Sequence, residues 1–328
     1  MTQPTTLTGM LELLRTPGTI TRSRLRMFSD LRDSDYQAFW SYWVQIPTDG
    51  RIRIITLMNE ISEDNLELNF RSIMRWALND EIEEVRQRAI DGLSEEDHPR
   101  IIRPLLERLQ HDTSPVVRSH AALALAKFTT LISYGELSTD IGNEIIETLH
   151  RELDTNRTFI DVYRRILEAL GAVSDQRVVD ALNHAWQSDN QQLRESALVA
   201  MGRSADTQWL PMIRSALRHP SAAIRFEAAN ACAEYGDVTA AFVPQLIDLC
   251  SEDDSEVAAA AIHALGQIGD ERSIKALTQL AKSRDATKRE AAMTALEEHE
   301  GSDDIFGGWR PGTRKREEDA YFYDEDDE

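Results

Sequence analysis

The chain has 328 residues, enough for two ordinary domains or one extended repeat array. Its 41% hydrophobic content suits a packed protein, and with only 15 glycines and 10 prolines it lacks the turn residues of a β-sandwich. Lys and Arg number 36 against 57 acidic residues, a formal net charge of −21 that repels phosphate backbones and anionic lipid, so neither nucleic acid nor membrane is an expected partner.

In chain order, the first segment shows no basic start and no long apolar core between Met1 and Leu14, so no signal peptide is read there. No uncharged apolar stretch reaches the roughly 18 residues that cross a bilayer, and the expectation is a cytoplasmic protein. Leu7–Leu14, Thr21–Leu31 and Ser34–Ile46 read as three helices, a helical N-terminal cap over residues 1–47. Tyr36, Phe39, Trp40, Tyr42 and Trp43 crowd more than one face of the third. They suit either a plug for the open end of an array, which every array requires, or a partner groove. Arg15, Arg22, Arg24 and Arg26 form a local basic run that reads as a solvated helix face.

From residue 48 onward the pattern repeats. Val85–Ser94, Val117–Ala126, Val162–Gly171, Leu193–Gly202, Ile224–Ala233 and Val257–Gly266 each place an aliphatic residue at i. Small or apolar residues follow at i+4, i+5 and i+8, which is one face of an α-helix with alanine keeping the next helix close. Position i+1 holds Arg86, Arg118, Tyr163, Arg194, Arg225, Ala258 and Arg289, at intervals of 32, 45, 31, 31, 33 and 31 residues. A fixed period means stacked helix pairs, none able to bury its apolar face alone. Asp175, Asp206, Asp237 and Asp270 follow at i+13, where each can cap the next helix. Asp80, Asp112, Asp189, Asp253 and Asp285 precede the second helices, where each can accept backbone amides or pair with an arginine of the adjacent unit. The arginine ladder is expected to break at Tyr163 and Ala258.

The run acid–x–x–V-R-x-x-A-A-x-A-L-G with a following G-D, clearest in Ala260–Asp270 (AAIHALGQIGD), resembles the short HEAT repeats of the phycobilisome-lyase-like HEAT family. The resemblance covers roughly residues 48–300. It implies an all-α solenoid of seven to eight helical hairpins, and this repeat serves many roles. One implied activity is bilin lyase action on a partner chromoprotein, for which no pocket-defining residue set is found. A di-iron hydroxylase of the HEAT type holds its metal on several His-Glu pairs. Here one such pair occurs, His299-Glu300.

The long interval between Arg118 and Tyr163 predicts an extra turn and loop near Lys127 to Asp140, either a binding element or a tolerated surface loop. After Gly301 the sequence turns acidic and glycine-rich and is expected to be a disordered tail over residues 301–328. Trp309, Tyr321, Phe322 and Tyr323 make it a candidate docking motif. No phosphate-binding loop, C-x-x-C or H-E-x-x-H is present, so no cofactor or metal is expected. Cys232 and Cys250 lie on apolar stripes and read as buried small hydrophobes. The i+3, i+6 and i+10 positions of the second helices share a polar face, and in HEAT-like arrays that helix lines the ligand side. On it His120, Arg165, Glu168, Arg203, Glu227, Asn230 and His263 are candidate protein-binding residues, with Phe226 at i+2 as the apolar anchor. The functional expectation is a non-catalytic interaction scaffold or adaptor for a protein or peptide. A bilin-lyase-like maturation factor and a structural assembly subunit are the alternatives.

Overall fold

A computed structural model of the chain describes residues 7–14, 20–65 and 67–306. Among the described residues every regular element is helical and none is a strand. By contacts the chain divides into two compact units, residues 1–234 and 235–328.

Unit 1 opens with α1 (Leu7–Leu14), α2 (Arg22–Leu25) and α3 (Tyr36–Trp43). α1 packs on α3, and α2 packs on α4 (Thr48–Asp64). Two of the five aromatics of α3, Phe39 and Trp43, are buried. Phe39 meets Trp43 and Trp76 at ring separations of 5.4 and 5.3 Å, and Trp43 Nε1 donates to Asp80 at 2.6 Å. Tyr36 stays exposed, stacked on Trp40.

Hairpins follow in order: α5 (Arg71–Ala77) with α6 (Glu83–Asp91), α7 (Ile102–His111) with α8 (Pro115–Ser133), and α9 (Thr139–Thr155) with α10 (Ile160–Ala169). Then come α11 (Gln176–Trp186) with α12 (Gln191–Ser204), and α13 (Leu210–Ala216) leading to α14 (Ala222–Tyr235). Each second helix packs on the next second helix, α4 on α6, α6 on α8, α8 on α10 and α10 on α12. The seam is made of small residues. A Cβ on Gly171 would lie 2.8 Å from the Ala200 carbonyl oxygen and 2.9 Å from its Cα, and one on Gly202 would lie 3.1 Å from Ala231 Cα. Position i+9 of one second helix thus meets i+7 of the next, and glycine there lets the backbones touch. The aliphatic residues at i, Val85, Val117, Val162 and Ile224, are fully buried beneath that seam.

The expected caps are present in part. Asp175 accepts from Val178 N and Asp206 from Gln208 N, both at 2.9 Å. Ahead of α12 the capping side chain is Asn190, which accepts from Leu193 N at 3.3 Å; Asp189, its neighbour, is not the cap. The extra residues between Arg118 and Tyr163 enter the helices themselves. α8 and α9 run to 19 and 17 residues, joined by a short turn at Gly135 with φ +74°.

Unit 2 holds α15 (Val243–Cys250) with α16 (Ser255–Ile268) and α17 (Glu271–Leu280) with α18 (Ala286–Phe306). Its seam repeats that of unit 1, since a Cβ on Gly266 would lie 3.1 Å from Ala295 Cβ. Asp254, not Asp253, caps α16, accepting from Glu256 N and Val257 N, and Asp270 caps α17 through Ser273 N. Asp237 falls inside the 3-10 segment Gly236–Phe242, where no capping bond forms. α18 continues to Phe306, beyond the expected start of the tail. Trp309, Tyr321, Phe322 and Tyr323 lie outside the described residues. Cys232 and Cys250 are buried and not joined in a disulfide, and desolvation pushes both thiols up to about 12.

Candidate interaction surface

Three arginines of the early repeats are ties from one repeat to the next. Arg51, in the first turn of α4, reaches Asp80 at 3.0 Å. Arg86 of α6 grips Asp112 through both Nε and Nη2 at 2.7 Å, and Arg118 of α8 donates to Asn156 at 2.7 Å while lying over the Phe159 ring. Each acceptor sits in the turn before the next second helix, and two of the turns are closed by the same carboxylates, through Ile82 N to Asp80 and Ser114 N to Asp112. Burial alone would raise the Asp112 carboxyl. The Arg86 bonds, the Ser114 amide and Arg108 outweigh it and hold the group below the usual carboxylate range.

The turn position that carries Asp80 and Asp112 holds Ser188, His219 and Ser283 in later repeats, identified by the same amide-to-side-chain bond from two residues on. The acid at this position is thus replaced in these three repeats and kept ahead of α16, where Glu252 stands two residues before the N-cap Asp254. At Tyr163 both members of the pair have changed, the arginine to tyrosine and the acid to Ser188. A cavity of about 470 Å³ opens there between α9 and α11, with Tyr163 and Leu193 in its wall beneath His150, Arg157, Arg177 and His184. His150 Nε2 bonds Asp175 at 2.8 Å and Arg177 bonds Glu147 at 2.8 Å, so much of this rim is paired within itself.

The polar face of the second helices is likewise cross-linked. His120 Nδ1 meets Asp91 of the preceding second helix at 2.6 Å, and Lys127 Nζ donates to the Leu93 and Ser94 carbonyls at 3.3 and 2.6 Å. Further along, Glu168 is a buried hub, only 2% exposed. Arg165 of its own helix binds it at 2.6 Å, Ser196 of the next second helix donates to it at 2.5 Å, and Arg203 donates to its backbone carbonyl at 3.3 Å. Glu168 thus joins helices and presents little to a ligand. Burial raises the Glu227 carboxyl above its ordinary value. Asn230 donates to it, and the Glu168 and Glu195 carboxylates push it further up. Phe226 is half-buried beside this cluster, Arg203 and Glu234 are exposed, and His120, Arg165 and Asn230 are partly so. The structure brings Arg165, Glu168, Arg203, Glu227 and Asn230 into one patch of unit 1 and sets His120 on the earlier repeats. In unit 2, His263 is exposed one turn from Gln267 on α16. Arg51 and Asn156 are ladder members that the periodicity did not single out. Arg51 carried a signal, an arginine 35 residues before Arg86 at the start of a helical pattern.

Among the described residues, no group of three or more His, Cys, Asp or Glu side chains is placed to hold a metal ion, and no helix is long and apolar enough to cross a membrane.

Stacked helical hairpins with second helix on second helix, glycine–alanine seams and arginine ties between repeats define a helical-repeat protein. The chain belongs to the HEAT-repeat family, whose model, described as HEAT repeats, matches residues 49–131, 187–242 and 210–297. The matches skip residues 132–186, the stretch with the lengthened α9, the Tyr163 substitution and most of the cavity wall. No curated protein matches the chain in sequence. Solved structures similar to it include the complex of CpcE and CpcF of phycocyanin lyase from Nostoc sp. PCC7120, at 19% identity and a TM-score of 0.50 over 71% of this chain and 88% of that one. Human deoxyhypusine hydroxylase in complex with glycerol is 20% identical over 82% of this chain and 96% of that one, with a TM-score of 0.36. A structure of Kap95p bound to RanGDP is 14% identical over 88% of this chain and 44% of that one, with a TM-score of 0.49. At these identities the likeness is one of fold.

Proposed function

We propose that the chain is a scaffold without chemistry of its own that binds a segment of a partner protein on the second-helix face of unit 1. The observation that carries this reading is the set of bonds fixing that face. Glu168 holds Arg165 and Ser196, Arg203 reaches back across the seam, and Asn230 steadies Glu227. A surface already ordered loses less entropy when a partner lands on it. Phe226 supplies the apolar anchor and the exposed guanidinium of Arg203 supplies orientation. Within this reading residues 1–47 cap the array, consistent with the inward packing of Phe39 and Trp43, and residues 48–300 form it.

The test is crosslinked capture of a partner from native lysate, followed by a measured Kd for wild type and for the Phe226→Ala, Arg165→Ala, Arg203→Ala triple variant. The reading expects the triple variant to fold and to bind at least tenfold more weakly, which corresponds to about 1.4 kcal/mol. An unchanged Kd in a folded triple variant contradicts it.

A further inference from the structure

The turn before α14 repeats the build of the turn before α6 with one change. Arg225 donates through Nη1 to the His219 and Pro220 carbonyls at 2.7 and 2.9 Å. In the same way Arg86 donates to the Asp80 and Glu81 carbonyls at 2.8 and 3.1 Å. The amide two residues on closes each turn, Ser221 N onto His219 Nδ1 and Ile82 N onto Asp80. In the early repeat the side chain that closes the turn is also the carboxylate that receives Arg51 from the preceding second helix. By the same register Arg194 of α12 stands opposite His219, where no carboxylate meets it.

Among the described residues the Arg194 guanidinium makes no hydrogen bond or ion pair, and its Nε is buried without an acceptor. A donor taken out of water without a partner is costly, and a carboxylate would remove that cost. His219 adds another donor. Because its Nδ1 receives Ser221 N, the proton of the neutral ring lies on Nε2. Arg218, the residue before it, is exposed. From Thr207 to Phe226 the sequence holds no acid but carries Arg214, Arg218, His219 and Arg225, a local reversal of sign in a chain of net charge −21. The acids of the flanking elements are Asp189, Glu195 and Asp206. Glu195 accepts from Gln191 at 2.8 Å and Asp206 from Gln208 N at 2.9 Å, and none of the three is paired with Arg194.

We propose that the notch between the first turn of α12 and the turn before α14 binds a carboxylate supplied by an acidic peptide of a partner protein. The carboxylate takes the place that Asp80 and Asp112 hold against Arg51 and Arg86, in the plane of the Arg194 guanidinium with His219 Nε2 beside it. An aspartate or glutamate offers the planar two-oxygen edge that the guanidinium fork fits. Arg218 gives a run of acids a second cation. The site rests on the ladder at the turn edge of unit 1, and it survives failure of the second-helix face as a partner surface.

The isotope-labelled full chain is titrated at constant ionic strength with a tri-aspartate peptide capped at both ends, and separately with inorganic phosphate and a capped tri-lysine peptide. NMR reads the Arg194 Nε–H and the His219 ring resonances. Saturable shifts of both are expected with the acidic peptide and none with the basic one. In Arg194→Gln the His219 shift requires at least tenfold more peptide, whereas Arg284→Gln, at an exposed arginine of unit 2, leaves it unchanged. His219→Asp returns the carboxylate of the early repeats to the turn. The Arg194 Nε–H then moves toward its bound position without peptide, and its response to peptide weakens at least tenfold. Absence of a saturable shift with the acidic peptide overturns the proposal, as does a His219→Asp response equal to that of wild type. Saturation by phosphate alone would mark the notch as a site for an adventitious ion only and also overturn it.

Discussion

Asp112 is the residue on which most of the early-repeat geometry converges, since it closes its own turn through Ser114 N and receives both nitrogens of Arg86. Removing one partner of a buried pair leaves the other charge without compensation, so Asp112→Asn is expected to cost about 3–5 kcal/mol in a urea melt. Its titration gives a second reading. Asp112 and Asp175 both sit below the ordinary carboxylate range in the folded chain, in each case because hydrogen bonds and neighbouring cations outweigh burial. A depressed folded value stabilises above the unfolded value of about 3.9 and is lost as pH falls through the folded one. The urea midpoint is therefore expected to hold from neutrality to about pH 5 and to drop below about pH 4, with a shallower drop in Asp112→Asn. Ala205 offers the opposite sign. It ends α12 at φ +49°, where α16 has Gly269 at φ +61°. A β-carbon in the left-handed region is strained, and Ala205 is exposed, so Ala205→Gly is expected to raise stability by about 0.5–1 kcal/mol in thermal or urea unfolding.

Among the elements, the second helices carried the clearest sequence signal. Their period survives because the aliphatic, alanine and glycine positions must all meet the next helix, and the seam at Gly171 and Ala200 shows how little room there is. Gly171→Val would drive side-chain carbon into the Ala200 backbone, which cannot yield as a flexible side chain does. A loss of about 1–3 kcal/mol is expected, measured by urea unfolding. The same change at Gly135, with open space around it, would strain only the turn. The turns were harder to read. Aspartates are common enough in this chain that Asp189 and Asp253 looked like ladder members, whereas Asn190 and Asp254 cap the helices. The ladder position itself is Ser188 or His219 in two later repeats, residue types that an acid pattern does not pick out. The lengthened α8 and α9 were visible as a longer interval, but an interval alone does not distinguish added helix from added loop. The polar face was legible as a row of residues; what the sequence could not show is that Glu168 lies beneath that row, because burial depends on how closely the next helix packs.

For the whole molecule, the charge of −21 favours partners with basic surface and makes association sensitive to salt. Binding to the unit 1 face is expected to weaken as ionic strength rises, with the on-rate falling more than the off-rate changes. The interruption of the family pattern between residues 132 and 186 coincides with a real structural change, the cavity beside Tyr163. The central claim is that the ordered polar face of α10, α12 and α14 is where a partner lands. Hydrogen–deuterium exchange on the captured complex tests it most directly. The account predicts slower exchange in the second helices, peptides from residues 160–169, 191–204 and 222–234, with α9 and α11 unchanged. Protection confined to α9 and α11 would contradict it.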